Sequence, residues 1–158
     1  MQPVVRPMTV DEARTCARIA CDSVIGERYG LVESKLTETL AAAARAGGEL
    51  VVAEEGGRVA GFTWIEPRGA FSTAPYLRLI AVDRAARGRG IGAALLGEFE
   101  RRTADVGRDY CLLVSDFNED AIAFYSRHGY RKAGELPDFA RPGITEILMV
   151  KPRRGSTA

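Results

Sequence analysis

The residues best suited to chemistry lie in one run near the middle of the chain, Arg87-Gly-Arg-Gly-Ile-Gly92, with Arg84 three positions ahead of it. Glycine reaches φ > 0 at low cost and carries no Cβ to hold a ligand off the backbone, so such a run lets successive N–H groups converge on an anion. The apolar segment 76–83 before it has the pattern of a strand, and the segment 91–106 after it has the pattern of a helix with Ile91, Leu95, Phe99 and Val106 inward. A loop so placed sits at the positive end of a helix dipole and suits phosphate. A glycine turn with solvated arginines would use the same letters. Two nucleotide motifs fit less well. A P-loop ends in Gly-Lys-Ser/Thr, whereas Gly90 is followed by Ile91 and Gly92; a Rossmann fingerprint starts at Gly88-x-Gly90, but its third glycine falls one residue early.

A second constellation follows, Asn118-Glu-Asp-Ala-Ile-Ala-Phe-Tyr125-Ser-Arg-His-Gly-Tyr130. Asn118 is a helix N-cap with Glu119 and Asp120 in the first turn, favourable against the dipole, and His128-Gly129 ends the helix. Seven residues are about 700° of helical rotation, so Asn118 and Tyr125 project from one face. In this order and separation, the pair formed by Ile80-Ala-Val-Asp83 with Arg87 to Gly92 and by Asn118 to Tyr130 resembles the two signatures of the GNAT family of N-acetyltransferases. The resemblance runs over nearly the whole chain, to about Lys151.

The resemblance implies an α+β (mixed α/β) fold, with a central, mostly antiparallel twisted sheet of about seven strands and four helices, splayed between the fourth and fifth strands. It implies acetyl-CoA as co-substrate. Arg87, Gly88, Arg89, Gly90, Ile91 and Gly92 would grip the pyrophosphate, and backbone groups of Ile80, Ala81 and Val82 would pair with the pantetheine arm. Asn118 would either cap its helix or bond the pantetheine. Tyr125 would be the general acid that protonates the departing CoA thiolate: a phenol near pKa ~10 holds its proton at neutral pH, and a thiol near ~8.5 leaves as an anion that benefits from it. Many relatives place a glutamate base on the strand entering the glycine loop, but Tyr76-Leu-Arg-Leu79 contains no acid. Glu66 and Asp116 at neighbouring strand ends are the candidates, and Glu66 is assigned as the base. Cys111 could carry an acetyl group in a ping-pong route, but direct transfer in a ternary complex is the family norm and a strand cysteine serves as core filler. The expected activity is therefore acetyl transfer from acetyl-CoA to a primary amine of a small molecule. The rivals are acetylation of a protein N-terminus or lysine, and a non-catalytic acyl-CoA-binding regulatory module.

The elements that hold these residues follow from periodicity. Residues 4–8 form a short strand. Thr9-Val-Asp-Glu12 is a capping box opening a helix with Val10, Ala13, Ala17, Ala20 and Val24 on one face, broken near Gly26 and Gly30. A helix over about 32–46 stops at Gly47-Gly48. Strands over 49–55 and 58–66 flank a Gly56-Gly57 hairpin, residues 67–75 are loop, and strands over 110–115, 130–135 and 144–151 complete the sheet.

The chain has 158 residues, 22 Lys+Arg against 21 Asp+Glu and a formal charge of +1, of which the cations are nearly all arginine. This suits one domain, 1–151, followed by a flexible tail, 152–158. The charge balance speaks against a nucleic-acid partner. One histidine and three cysteines without a C-x-x-C pair make no metal site, and unpaired cysteines suit a reducing, cytoplasmic setting. No apolar run is long enough to span a membrane, and no cleavable leader is legible. Family members often dimerise through sheet edges or C-terminal strands, so the resemblance allows a homodimer and leaves the oligomeric state open.

Overall fold

The computed structural model describes residues 2–153. Seven strands, β1 (Val4–Pro7), β2 (Glu49–Glu55), β3 (Arg58–Ala70), β4 (Ala74–Val82), β5 (Tyr110–Ser115), β6 (Arg131–Pro137) and β7 (Thr145–Lys151), form one sheet in the order β1-β2-β3-β4-β5-β7-β6. The helices are α1 (Ala13–Cys21), α2 (Val24–Tyr29), α3 (Glu33–Arg45), α4 (Ile91–Arg102) and α5 (Glu119–Arg127). None of the described helices is long and apolar enough to cross a membrane. Antiparallel pairing joins β1 to β2, β2 to β3, β5 to β7 and β6 to β7. The β4–β5 pair is parallel and only two residues long, Tyr76↔Cys111 and Leu77↔Leu112. That short ladder is the expected splay between the fourth and fifth strands.

Among the described residues there are five α-helices where four were expected, because the first one breaks. Ser23 donates through Oγ to the Ala20 carbonyl at 2.6 Å and accepts from the Gly26 N–H at 3.0 Å, which ends one helix and caps the next. Gly26 therefore lies inside α2 rather than at a break. A Cβ there would sit 2.4 Å from the Cys21 carbonyl oxygen, so glycine is what permits the tight turn. The break also rotates the apolar face. Cys16 and Ile19 are buried while Val24, expected inward, is 55% exposed.

The expected loop over 67–75 is mostly strand. Pro67 and Gly69 fall within β3, and the chain reverses at Phe71-Ser72, both with positive φ (54° and 58°). Pro67 is tolerated because the β2–β3 ladder ends at Glu49↔Ile65, so no bond to β2 is lost at the proline.

The chain forms two compact units: residues up to Ile65 together with Leu79–Arg102, and Glu66–Arg78 together with Thr103 onward. In the first, Cys16, Ala20, Leu40, Val52 and Phe62 make up the centre of one core. In the second, Ala70, Ala74 and Cys111 cluster with Tyr76 and Val150 packed against them. Arg153 is also fixed in the second, its N–H donating to Asp109 Oδ1 at 3.3 Å and its guanidinium 5.8 Å from the Tyr110 ring centre. The rest of the expected tail, 154–158, lies outside the described residues.

One ion-pair network ties β1 to its surroundings in the first unit. Arg6 reaches Glu12 at 2.6 Å and Glu54 at 2.8 Å, and Glu12 also accepts from the Thr9 N–H at 2.9 Å. The Arg6 hydrogen bonds, aided by Thr9, hold the Glu12 carboxyl below its usual range. A depressed folded-state pKa stabilises the fold above the unfolded value, and the gain is lost as pH falls through the folded one. Acidification from pH 6 to pH 3 should thus lower the urea midpoint, and Glu12→Gln should remove about 0.5–1 kcal/mol of that pH-dependent loss, a size set by solvent screening.

Candidate active site

The glycine loop connects β4 to α4 in the first unit. Asp83 caps the short 3-10 turn Arg84–Ala86 by accepting from the Ala85 N–H at 3.0 Å, and its own N–H donates to the Ala60 carbonyl at 2.8 Å. Beyond this turn Gly88 and Gly90 take φ of 76° and 81°, and a Cβ built on either would meet nothing within 4 Å. The Ala94 N–H, donating to the Gly90 carbonyl at 3.0 Å, closes the first turn of α4, which leaves the N–H groups ahead of it unused by the helix ladder. Ile91 anchors the turn from below, 1% exposed. A Cβ on Gly61 would lie 2.9 Å from the Ala81 carbonyl oxygen and 3.0 Å from Ile91 Cγ2, so β3 packs against β4 and α4 at a distance only glycine allows. Open space over unused N–H groups at a helix start fits a pyrophosphate.

Two of the three arginines around this turn are committed to internal ion pairs. Arg84 pairs with Asp22 at 3.0 Å and Arg89 with Glu55 at 2.9 Å, while exposed Arg87 joins neither pair. A cleft of about 490 Å³ lies beside them, lined in part by Arg18, Arg58, Glu55, Asp83 and Arg89. Ile80, Ala81 and Val82 are each half-buried although β4 lies inside the sheet, which leaves them accessible to a ligand.

Tyr125 stands in the second unit, one α5 turn from the helix end. Its ring packs edge-on against Tyr130 at 5.9 Å and Phe124 at 5.3 Å, and its carbonyl accepts from the His128 and Tyr130 N–H groups at 3.0 Å each. It is 6% exposed. Burial, and then the neighbouring Tyr76, push its phenol well above the usual range. Burial raises Tyr76 in the same direction. Asn118 Oδ1 accepts from the Ala121 N–H at 3.4 Å, the capping geometry. His128 Nδ1 donates to the Phe124 carbonyl at 2.8 Å, a helix-terminal contact. Glu66 accepts from Arg78 at 2.6 Å, so the assigned base is already paired with a guanidinium.

Sequence reasoning gave no role to Tyr76, Gly69 or Glu146. Tyr76 stands on β4 where the β4–β5 ladder begins, and the charges of Arg78, Glu66 and Glu146 all act on it. Gly69 makes room for this group: a Cβ there would sit 2.6 Å from Glu66 Oε2 and 3.0 Å from Tyr76 Cβ. Glu146 is 5% exposed on β7, opposite Ser115 of β5. An acid in an alternating strand reads as solvated, and the only signal to the contrary was the apolar pair Val114 and Ile147 next to Ser115 and Glu146 in register. Cys111 is buried with its thiol raised by burial and by Asp109, which favours the core-filler reading, and burial pushes Cys16 up to about 12. Among the described residues no group of three or more His, Cys, Asp or Glu is placed to hold a metal.

Residues 46–132 match the model of a family described as an acetyltransferase (GNAT) domain. A blasticidin-S acetyltransferase of Streptomyces morookaense is 38% identical over 76 residues, which are 48% of this chain and 55% of that protein. The chain's matches span about half the length of the curated relatives. Among solved structures, a GNAT-family acetyltransferase of Bacillus cereus superposes with a TM-score of 0.78 at 20% identity over 97% of this chain and 99% of that one. The Salmonella typhimurium yncA structure, which holds its cofactor acetyl-CoA, gives a TM-score of 0.73 at 16% identity over 96% and 94%. Likeness at this identity is a likeness of fold.

Proposed function

The chain belongs to the GNAT family of acetyltransferases, and on that premise we propose that it transfers the acetyl group of acetyl-CoA to a primary amine of a small molecule within a ternary complex. The observation that carries this reading is the glycine loop: two positive-φ glycines in open surroundings at the start of α4, ahead of the first N–H that the helix ladder uses. A pyrophosphate needs several donors and close backbone approach, and this loop offers both. Arg87, Gly88, Arg89, Gly90, Ile91 and Gly92 form the cradle; the half-buried backbone of Ile80, Ala81 and Val82 lies ready to pair with an extended arm. Acetyl-CoA supplies the activated thioester. Tyr125 is the general acid, its proton retained across the working range by burial. Asn118 sets the start of α5 and thereby the pitch of the face carrying Tyr125. Glu66 and Arg78 form a charged pair at the acceptor side, where they orient polar groups of the amine.

A small acceptor is supported by the relative named a blasticidin-S acetyltransferase, whose name carries one compound rather than a protein. The test is CoA release from acetyl-CoA over a panel of small amines, with peptides bearing free N-termini and lysines as the comparison set. Release with at least one small amine is expected. Turnover confined to peptides would move the chain to protein acetylation. Tight acetyl-CoA binding without turnover on either set would leave a binding module.

A further inference from the structure

The cleft beside the glycine loop has no task in the acetyl transfer proposed above. Three segments of the first unit wall it: α1 through Thr15 and Arg18, the turn of the β2–β3 hairpin, and the stretch from Asp83 to Arg89. The hairpin sets Glu55 and Arg58 opposite one another, since Gly56-Gly57 turns in two residues and the flanking pair is in register. Val59 is half-buried and Ala60 and Ala86 are buried, which gives the cleft an apolar part. Its walls include Arg89 but neither Gly88 nor Gly90. The cleft is therefore distinct from the open surroundings of the two loop glycines.

Its charges do not balance. Arg18, Arg58 and Arg89 line it together with two carboxylates, Glu55 and Asp83. Glu55 is held by Arg89 at 2.9 Å, whereas Asp83 meets Arg18 only at 3.5 Å. Exposed Arg58 has no ion pair among the described residues. One guanidinium is left over and a second is loosely held, so the cleft favours a ligand with a negative head. A volume of about 490 Å³ lies within the range of roughly 300–1,000 Å³ usual for small-molecule clefts, and exceeds what an inorganic ion fills. The two carboxylates would repel a polyanionic chain. A single carboxylate or phosphate head on an apolar body suits both parts of the lining.

We propose that this cleft is a second ligand site for a small organic anion, its carboxylate or phosphate head held by Arg58 and Arg18 and its apolar body resting on Val59 and Ala86, and that its occupancy weakens acetyl-CoA binding. Binding in the cleft stands by itself; the coupling rests on the acetyltransferase reading. The coupling has two routes. Asp83 accepts from the Ala85 N–H at 3.0 Å and so fixes the turn that leads into the glycine loop. A head that takes Arg18 withdraws the guanidinium from that carboxylate and loosens the cap. Arg89 belongs to both the cleft and the loop, so an anion in one place competes for its charge with an anion in the other. The effect is reciprocal: acetyl-CoA weakens the cleft ligand by the same factor.

The test uses benzoate and phenyl phosphate as probes, with benzyl alcohol as the uncharged control and inorganic phosphate as the head alone, all at constant ionic strength. Calorimetric titration of the wild-type protein without acetyl-CoA should show at least one aromatic anion binding in the millimolar range or tighter, and roughly tenfold more tightly than either control. Arg58→Ala should weaken that binding by roughly tenfold or more, while Arg45→Ala, which removes the same charge from the exposed end of α3, should not. Without a probe, both variants should bind acetyl-CoA as tightly as the wild type. In the wild type, rising probe should raise the acetyl-CoA Kd by about fivefold or more and then reach a plateau. A Kd that climbs without limit would place the probe in the glycine loop and overturn the second site. Failure of both aromatic anions to outbind the controls would overturn the ligand class, and unchanged binding in Arg58→Ala would overturn the placement. Probe binding that leaves the acetyl-CoA Kd unmoved would overturn the coupling. A wild type that binds no acetyl-CoA would instead sink the acetyltransferase reading, and the titration without acetyl-CoA would still decide on the cleft.

Discussion

Tyr125→Phe should lower kcat for amine acetylation by roughly 10²–10³-fold while acetyl-CoA affinity stays within about twofold. The substitution removes one hydroxyl and keeps the ring, so the edge contacts to Phe124 and Tyr130 and the packing of α5 survive. What disappears is the donor to the sulfur. Burial raises the phenol, and at first sight that makes it a poorer acid. The departing thiolate, however, meets the same low dielectric and is raised in step, so the two remain matched closely enough for the proton to move as the C–S bond stretches. The hydroxyl also stays protonated well past neutrality, so it should add no alkaline-limb fall to the rate near neutral pH. Steady-state kinetics give kcat, and calorimetric titration gives the affinity; turnover within about threefold of wild type would remove Tyr125 from the mechanism.

Gly90→Val should weaken acetyl-CoA binding by roughly two orders of magnitude or more, the size expected when several backbone donors to a phosphate are lost together. Two effects combine. At φ of 81° a β-branched residue is strained by about 1–2 kcal/mol, and its side chain takes up the open surroundings of Gly90 that close backbone approach of a ligand needs. Gly107→Val separates them, because Gly107 has φ of 84° with equally open surroundings after α4. Both variants should lose similar thermal stability, and only Gly90→Val should lose affinity. Equal affinities would detach the loop from cofactor binding.

The parts of the fold legible in the sequence are those fixed by local chemistry. Gly56-Gly57 turns with both φ positive, 59° and 76°, as a two-glycine hairpin must. Asn118 caps α5, and Ile91, Leu95 and Phe99 are buried as the period of α4 requires. The misread parts depend on distant partners. Pro67 and Gly69 look like loop residues until the end of the β2–β3 ladder is known, and Val24 looks inward until Ser23 is seen to start a new helix. The same distinction holds for the site. Gly88, Gly90 and Tyr125 belong to continuous motifs, whereas the burial of Glu146 is legible only in its register with Ser115, 31 positions earlier. The pairing of Arg78 with Glu66 is likewise a cross-strand fact that neither segment reveals alone.

The ion pairs Arg84–Asp22 and Arg89–Glu55 bear on how ionic strength acts on the loop. Free arginines beside a polyanionic ligand would surrender condensed counterions on binding, and affinity would fall steeply with added salt. Here each of these two guanidiniums already has an internal counterion. Salt loosens those internal pairs at the same time as it screens the ligand, and the two responses oppose one another. The glycine N–H groups, being dipoles rather than ions, carry little of either response. Such a loop can hold its ligand almost evenly across a wide range of salinity, trading some peak affinity for insensitivity to the medium.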